Sequence, residues 1–188
     1  LRGKPNGTFY PAKYFATGGT YATSGVITDI NHDGYKDILV TNSGTNTVSI
    51  INGLGNDSFY VDTLYNVKKT PTWIASGYFN KDSILDFVVS CKDSNCLAFF
   101  PGKNSGRFDT IKYISISSPY FIGTGNINGD GYTDVVITKN SGLGTFTVGL
   151  GGDSLMGLTL RSPTNTGNNP KSAVITNLDG VGNDEILV

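Results

Sequence analysis

Glutamate is all but missing from this chain. Of 15 carboxylates only Glu185 is Glu, and the rest are Asp. Glu favours helices, whereas Asp favours caps, turns and hard-metal loops, so the bias argues against a helical fold. Charge of either sign is also scarce, at 15% of residues and a net −1, with Lys and Arg scattered singly. A nucleic-acid footprint needs a basic stripe, and its absence excludes nucleic acid as a partner. No apolar run approaches the ~20 residues that span a bilayer, so no membrane insertion is expected within the segment. No signal-peptide pattern opens the chain and Leu1 stands where a Met would start it, so an upstream portion is expected to have been removed or to lie outside it. One His is present, and nothing organises into a nucleophile, a base and an orienting partner; the sequence predicts no enzyme.

What is abundant is Gly, at 25 residues, with 10 Tyr and 10 Phe. Aromatics with frequent glycine describe short strands and tight turns, and 38% hydrophobic residues describe a globular protein. An all-β fold follows.

The stretch "DINHDGYKDILV" from Asp29 sets three Asp and one Asn into nine residues and then breaks into an apolar run. It recurs as "YFNKDSILDFVV" from Tyr78, "NINGDGYTDVVI" from Asn126 and "NLDGVGNDEILV" from Asn177, at intervals of 49, 48 and 51 residues. A turn ending in Phe runs in phase at Phe9, Phe59 and Phe108, with Leu155 in a degenerate fourth copy. Two markers at one period identify an internal repeat. Each unit reads as four strands, in the first full one 26–29, 38–41, 48–51 and 59–65. Four short strands per ~40–50 residues is the blade of a β-propeller, stacked because one blade cannot bury both its faces. A β-sandwich does not require the same loop at the same place in each unit. The expected single propeller domain, or segment of one, has blades at 21–71, 72–119 and 120–171, with partial blades at 1–20 and 172–188. The partial blades could pair within one molecule, pair end to end between molecules, or belong to a longer propeller.

Repeats of the form D-x-N-x-D-G-x-x-D followed by an apolar strand resemble the FG-GAP/VCBS repeats of integrin α-subunit propellers and many secreted proteins. "TDINHDGYKDILV" and "GNINGDGYTDVVI" match closely; the other two copies match in frame but not at every ligand. The resemblance implies a loop joining the first two strands of a blade, often holding Ca²⁺, in a secreted or cell-surface protein.

Ca²⁺ takes six to eight oxygen ligands. In loop one Asp29, Asn31 and Asp33 alternate inward and Gly34 permits the bend; the family pattern implies the Tyr35 carbonyl and Asp37 as further ligands. An EF-hand is excluded, since its twelfth position would be Glu and here is Val40. Loop three offers Asn126, Asn128, Asp130, the Tyr132 carbonyl and Asp134. In loop two Tyr78 and Ser83 replace the first ligand and the Gly, leaving Asn80, Asp82 and Asp86; in loop four Val181 takes the middle ligand position and Glu185 the last. Metal is expected in loops one and three and not in two and four. The alternative is a polar hairpin capped by Asx-turns.

Cys91 and Cys96 bracket a four-residue turn that can bring them within disulfide range, and a bridge is expected with an extracellular fold type; reduced thiols are the alternative. "NGT" at Asn6 and "NDS" at Asn56 are N-glycosylation acceptors at equivalent turns, for a eukaryotic chain, although Asn is a common turn residue in its own right. His32 sits at an outward position of loop one and reads as a bystander. Trp73 is expected between blades, with a sugar-stacking platform as the other reading, and Tyr10, Tyr14, Tyr21, Tyr113 and Tyr120 divide between core and surface.

The function expected is adhesion or recognition by a Ca²⁺-stabilised extracellular propeller with a protein or glycan ligand. The alternatives are a filament subunit assembling end to end, and a lectin. A propeller-based polysaccharide lyase has least support, for want of a Lys, Arg or His cluster.

Overall fold

The computed structural model describes residues 2–108, 110–139, 144–153 and 157–188. Among these residues the fold is all-β, with one turn of 3-10 helix at Lys92–Ser94. Three antiparallel sheets follow one another along the chain. Sheet one is β1 (Ala22–Thr28), β2 (Asp37–Asn42), β3 (Thr47–Gly53) and β4 (Phe59–Asn66). Sheet two is β5 (Pro71–Gly77), β6 (Asp86–Cys91), β7 (Cys96–Phe100) and β8 (Lys112–Ser115). Sheet three is β9 (Pro119–Gly125), β10 (Asp134–Lys139) and β11 (Thr145–Leu150), whose outer edge is shared by β12 (Thr159–Leu160) and β13 (Thr164–Asn165). The outer strand is split around Pro163, which has no N–H to give the ladder. A two-stranded sheet of β14 (Val174–Thr176) and β15 (Glu185–Leu187) closes the order. No described helix is long and apolar enough to cross a membrane.

Alternation along each strand decides which residues face which sheet. In sheet one Val26, Leu39 and Ile50 are partners in register, and they pack with Ile74, Val89 and Ala98 of sheet two into one core. Sheet two turns its other face, Ala75, Val88 and Phe99, onto Ile122, Val135 and Ile137 of sheet three in a second core. Each full sheet thus has a forward and a backward face. Trp73 lies in the second core against Phe121, ring centroids 4.5 Å apart.

The Phe marker of the repeat has a packing reason. Phe108, 6% exposed, meets Tyr65, Phe87 and Phe100 edge to face at 5.3 to 5.7 Å, a favoured aromatic arrangement. Phe59 meets Phe15 the same way at 5.1 Å.

A second repeated device joins the sheets. Both β1 and β5 bulge at their second residue, Thr23 and Thr72, and each hydroxyl donates to a carbonyl of the next sheet's first strand: Thr23 to Pro71 and Thr72 to Tyr120, both at 2.9 Å. A bulge re-aims a side chain in this way.

The cysteine expectation needs correction. Cys91 and Cys96 stand opposite each other in register, as the turn predicted, but both are free, buried thiols. Burial, and the neighbouring Cys96 thiol, push Cys91 up to about 12; burial also raises Cys96. The thiolate that would start oxidation is therefore strongly disfavoured in the folded chain.

Candidate functional site

All four Asp-rich loops lie where the first strand of a sheet passes to the second, and their polar side chains fold back on the loop's own amides. In loop one the Asp33 and Gly34 amides donate to the two Asp29 oxygens at 3.2 and 3.0 Å. The Asp33 amide also reaches Asn31 Oδ1 at 3.0 Å, and the Tyr35 amide reaches Asp33 Oδ1 at 2.8 Å. Asn31 Nδ2 donates to the second Asp33 oxygen at 2.9 Å. The curl needs left-handed backbone at His32 (φ 59°) and Gly34 (φ 89°), and the His32 side chain is exposed.

Loop three repeats the pattern: the Asp130 amide donates to Asn128 Oδ1 at 3.2 Å, the Tyr132 amide to Asp130 Oδ1 at 2.9 Å, and Asn128 Nδ2 to Asp130 Oδ2 at 2.8 Å. One atom stands apart. Asn126 Oδ1, at the first ligand position, is buried without a hydrogen-bond partner. The backbone N–H of the same residue is held from the following unit, donating to Asp184 Oδ2 at 2.9 Å.

The closing carboxylate of each loop has a structural role that the motif alone does not disclose. Asp37 is fully buried; its Oδ2 accepts the Ile30 amide and its Oδ1 the Gly53 amide, both at 2.9 Å. Asp86 accepts from Gly102 at 2.8 Å and from Asn80 Nδ2 at 2.9 Å. Asp134 accepts from Gly151 at 2.9 Å and from Ile127 at 2.7 Å. Glu185 accepts from Leu178 at 2.8 Å. Each carboxylate ties the start of its loop to the end of the third strand, where that strand exists. The glycines are required there: a Cβ on Gly53 or Gly102 would collide with the carbonyl of Lys36 or Leu85. Gly53, Gly102 and Gly151 fall at one phase of the repeat, which is the sequence signal that could have revealed the clasp.

Burial shifts the protonation of two of them, Asp86 and Asp134. Asp86 is raised from 3.8 to about 7, by burial first and by Asp82 as well, against the lowering effect of the Gly102 amide. Burial also raises Asp134, opposed by the Gly151, Ile127 and Asn128 amides.

Among the described residues no three His, Cys, Asp or Glu side chains stand together as a metal-holding group. A cation in loop one or three would therefore draw on Asn and backbone oxygens beside the carboxylates. The donor chemistry fits a hard cation, because an oxygen that accepts one N–H keeps a second lone pair. The unpartnered Asn126 Oδ1 fits it too.

Loops two and three border a crevice of about 500 Å³ lined by Tyr78, Asn80, Lys81, Ser83 and Tyr132. Lys81 pairs with Asp153 at 3.4 Å, and the Tyr132 hydroxyl reaches the same carboxylate at 3.4 Å. The sequon asparagines are exposed; Asn6 Oδ1 accepts both the Thr8 amide and hydroxyl, at 3.1 and 2.7 Å, and Asn56 occupies a left-handed turn position (φ 52°). Tyr14 and Tyr21 are the most exposed tyrosines, at 92% and 80%. Tyr10 lies beneath Arg2 and Lys4, Tyr113 beneath Lys68 and Tyr120 beneath Lys171.

No curated protein matches the chain in sequence. Among solved structures, a Bacteroides uniformis protein described as a candidate 6-phosphogluconolactonase superposes with a TM-score of 0.72 over 93% of this chain, at 14% identity. The chain spans 53% of that protein's length. At this identity the likeness shows the fold alone, but it corrects the expectation that the chain is no enzyme: a protein described as a lactonase is built on the same fold, so the lack of a Lys, Arg or His cluster does not exclude catalysis. Residues 29–89, which hold loops one and two and the strands about them, match the model of an FG-GAP-like repeat, and the repeat identity read from the Asp motif holds there.

Proposed function

We propose that the chain is a propeller-type recognition module of the extracellular space, in which Ca²⁺ bound by loops one and three stiffens the edge of the stacked sheets. Asp29, Asn31 and Asp33, with the Tyr35 carbonyl and Asp37, would hold one ion; Asn126, Asn128 and Asp130, with the Tyr132 carbonyl and Asp134, the other. The ion would supply charge neutralisation and a rigid crosslink among loop oxygens. The observation that carries the reading is Asn126 Oδ1, a buried acceptor with no donor at the first ligand position of loop three; such an atom calls for a ligand. The blade arrangement is supported by the face-to-face packing of successive four-stranded sheets and the contacts of β1 with β5, β5 with β9 and β9 with β14.

Calorimetric titration with Ca²⁺ tests the reading. Two sites are expected, with Asp33→Ala and Asp130→Ala each removing one, and the melting temperature is expected to fall on chelation. No uptake, together with melting indifferent to EDTA, overturns it.

The crevice between loops two and three favours a glycan as the recognised ligand, since tyrosines beside Asn and Lys suit both the faces and the hydroxyls of a sugar. A glycan array in which Tyr78→Ala removes the signal would support that choice, and an array without signal would discard it.

A further inference from the structure

Loops one and three differ at their first ligand position. It is Asp29 in loop one and Asn126 in loop three, so the four side-chain ligand positions bring three negative charges to loop one and two to loop three. The following unit makes up the difference. Asp184 Oδ2 accepts the Asn126 amide at 2.9 Å, and a Cβ added at the neighbouring Gly125 would come within 3.1 Å of the same oxygen. Asn183 lies over Gly129, where an added Cβ would collide with its Oδ1. Loop three is thus covered at its first and fourth residues by two polar side chains of loop four.

The same joint exists one unit earlier without the charge. Thr133 immediately precedes the closing Asp134, as Asp184 precedes Glu185. Its hydroxyl accepts the Tyr78 amide at 3.0 Å, and its own amide donates to the Tyr78 carbonyl at 2.9 Å. A hydroxyl therefore suffices to hold the joint, and loop two, which it holds, is a loop expected to bind no cation. Leu85 has the corresponding position before Asp86 and packs against the first core, which leaves that joint uncharged as well. Among these three joints, an acid stands only where a cation loop begins with Asn instead of Asp. It grips the amide of the residue whose Oδ1 is buried without a partner.

We propose that Asp184 belongs to the loop-three cation site. It positions Asn126 through the main chain and supplies from the next unit the charge that Asn126 lacks, so an ion at loop three fastens the β14–β15 sheet to sheet three. Ion binding and docking of that sheet are then reciprocally linked, each strengthening the other. The inference rests on the Ca²⁺ reading of loops one and three, and loop one serves as its internal reference.

Calorimetric Ca²⁺ titration of the 188-residue chain and of Asp184→Asn is the test, repeated with Asp33→Ala so that loop three is read alone. Asp184→Asn keeps a side-chain oxygen for the Asn126 amide. It is expected to weaken loop three about tenfold, through the lost charge, and to leave loop one unchanged. Asp184→Thr, the residue found at 133, is expected to act alike, which separates a lost charge from a lost joint. Adding Asn126→Asp to Asp184→Asn is expected to restore the affinity. Hydrogen exchange gives the second readout: Ca²⁺ is expected to slow the β14–β15 amides in the unaltered chain and not in either Asp184→Asn chain. Loop-three affinity indifferent to Asp184→Asn, or β14–β15 exchange indifferent to Ca²⁺ while loop three is loaded, overturns the proposal and leaves the Ca²⁺ reading standing. No uptake at either loop overturns both.

Discussion

The Asp37 carboxylate accepts the Gly53 amide at 2.9 Å, holding the end of β3 to the start of β2, and the same pair recurs as Asp86 with Gly102 and Asp134 with Gly151. The last acid of the motif is thereby committed to the scaffold as well as to any ion. Asp37→Ala would strand the buried Ile30 and Gly53 amides, at a cost of roughly 3 kcal/mol from two charge-assisted bonds. Urea unfolding, with and without Ca²⁺, measures it; a comparable loss in both conditions identifies the clasp as structural.

Asp86 makes stability depend on pH in an unusual direction for an acid. Its folded value of about 7 lies above its ordinary 3.8, so the folded state holds the extra proton between the two. Stability from this group is complete below about pH 4 and is lost as pH rises through 7. Asp86→Asn should flatten this part of the curve, as thermal melts at pH 5 and 8 would show.

Cys91 and Cys96 should resist modification while the chain is folded. Burial keeps Cys91 protonated up to about 12, and the thiolate is the reactive form. Iodoacetamide at neutral pH should leave both untouched, and denaturant should release both together. Rapid native alkylation, or a bridge formed in mild oxidant without unfolding, would refute this.

Phe108→Ala should cost about 3–5 kcal/mol, the usual loss for a buried aromatic, since it empties the space between Tyr65, Phe87 and Phe100. Phe9→Ala, the same marker at a site 59% exposed, should change the unfolding midpoint little. Parallel denaturant titrations compare the two.

The strands were readable because alternation and turn chemistry are local. The first unit's expected strands fall within the observed Ala22–Thr28, Asp37–Asn42, Thr47–Gly53 and Phe59–Asn66 to within a residue. The loops were readable as well, since an Asp or Asn at every second position curls the chain whether or not a cation is present. Three features were not. The partner of Asp37 lies sixteen residues away, and nothing in the motif names it. The bulges at Thr23 and Thr72 depend on where the next sheet sits. Cys91 and Cys96 were placed correctly as neighbours, but their protonation is set first by burial in the core between sheets one and two.

The threonine rungs carry one last consequence. Thr23 and Thr72 give their protons to main-chain oxygens, and every residue type supplies such an oxygen. The joint therefore makes no demand on the accepting residue's side chain, and Pro71 and Tyr120 serve alike. A threonine at the bulge is thus the whole requirement for this latch, and it is met from one side of the joint alone.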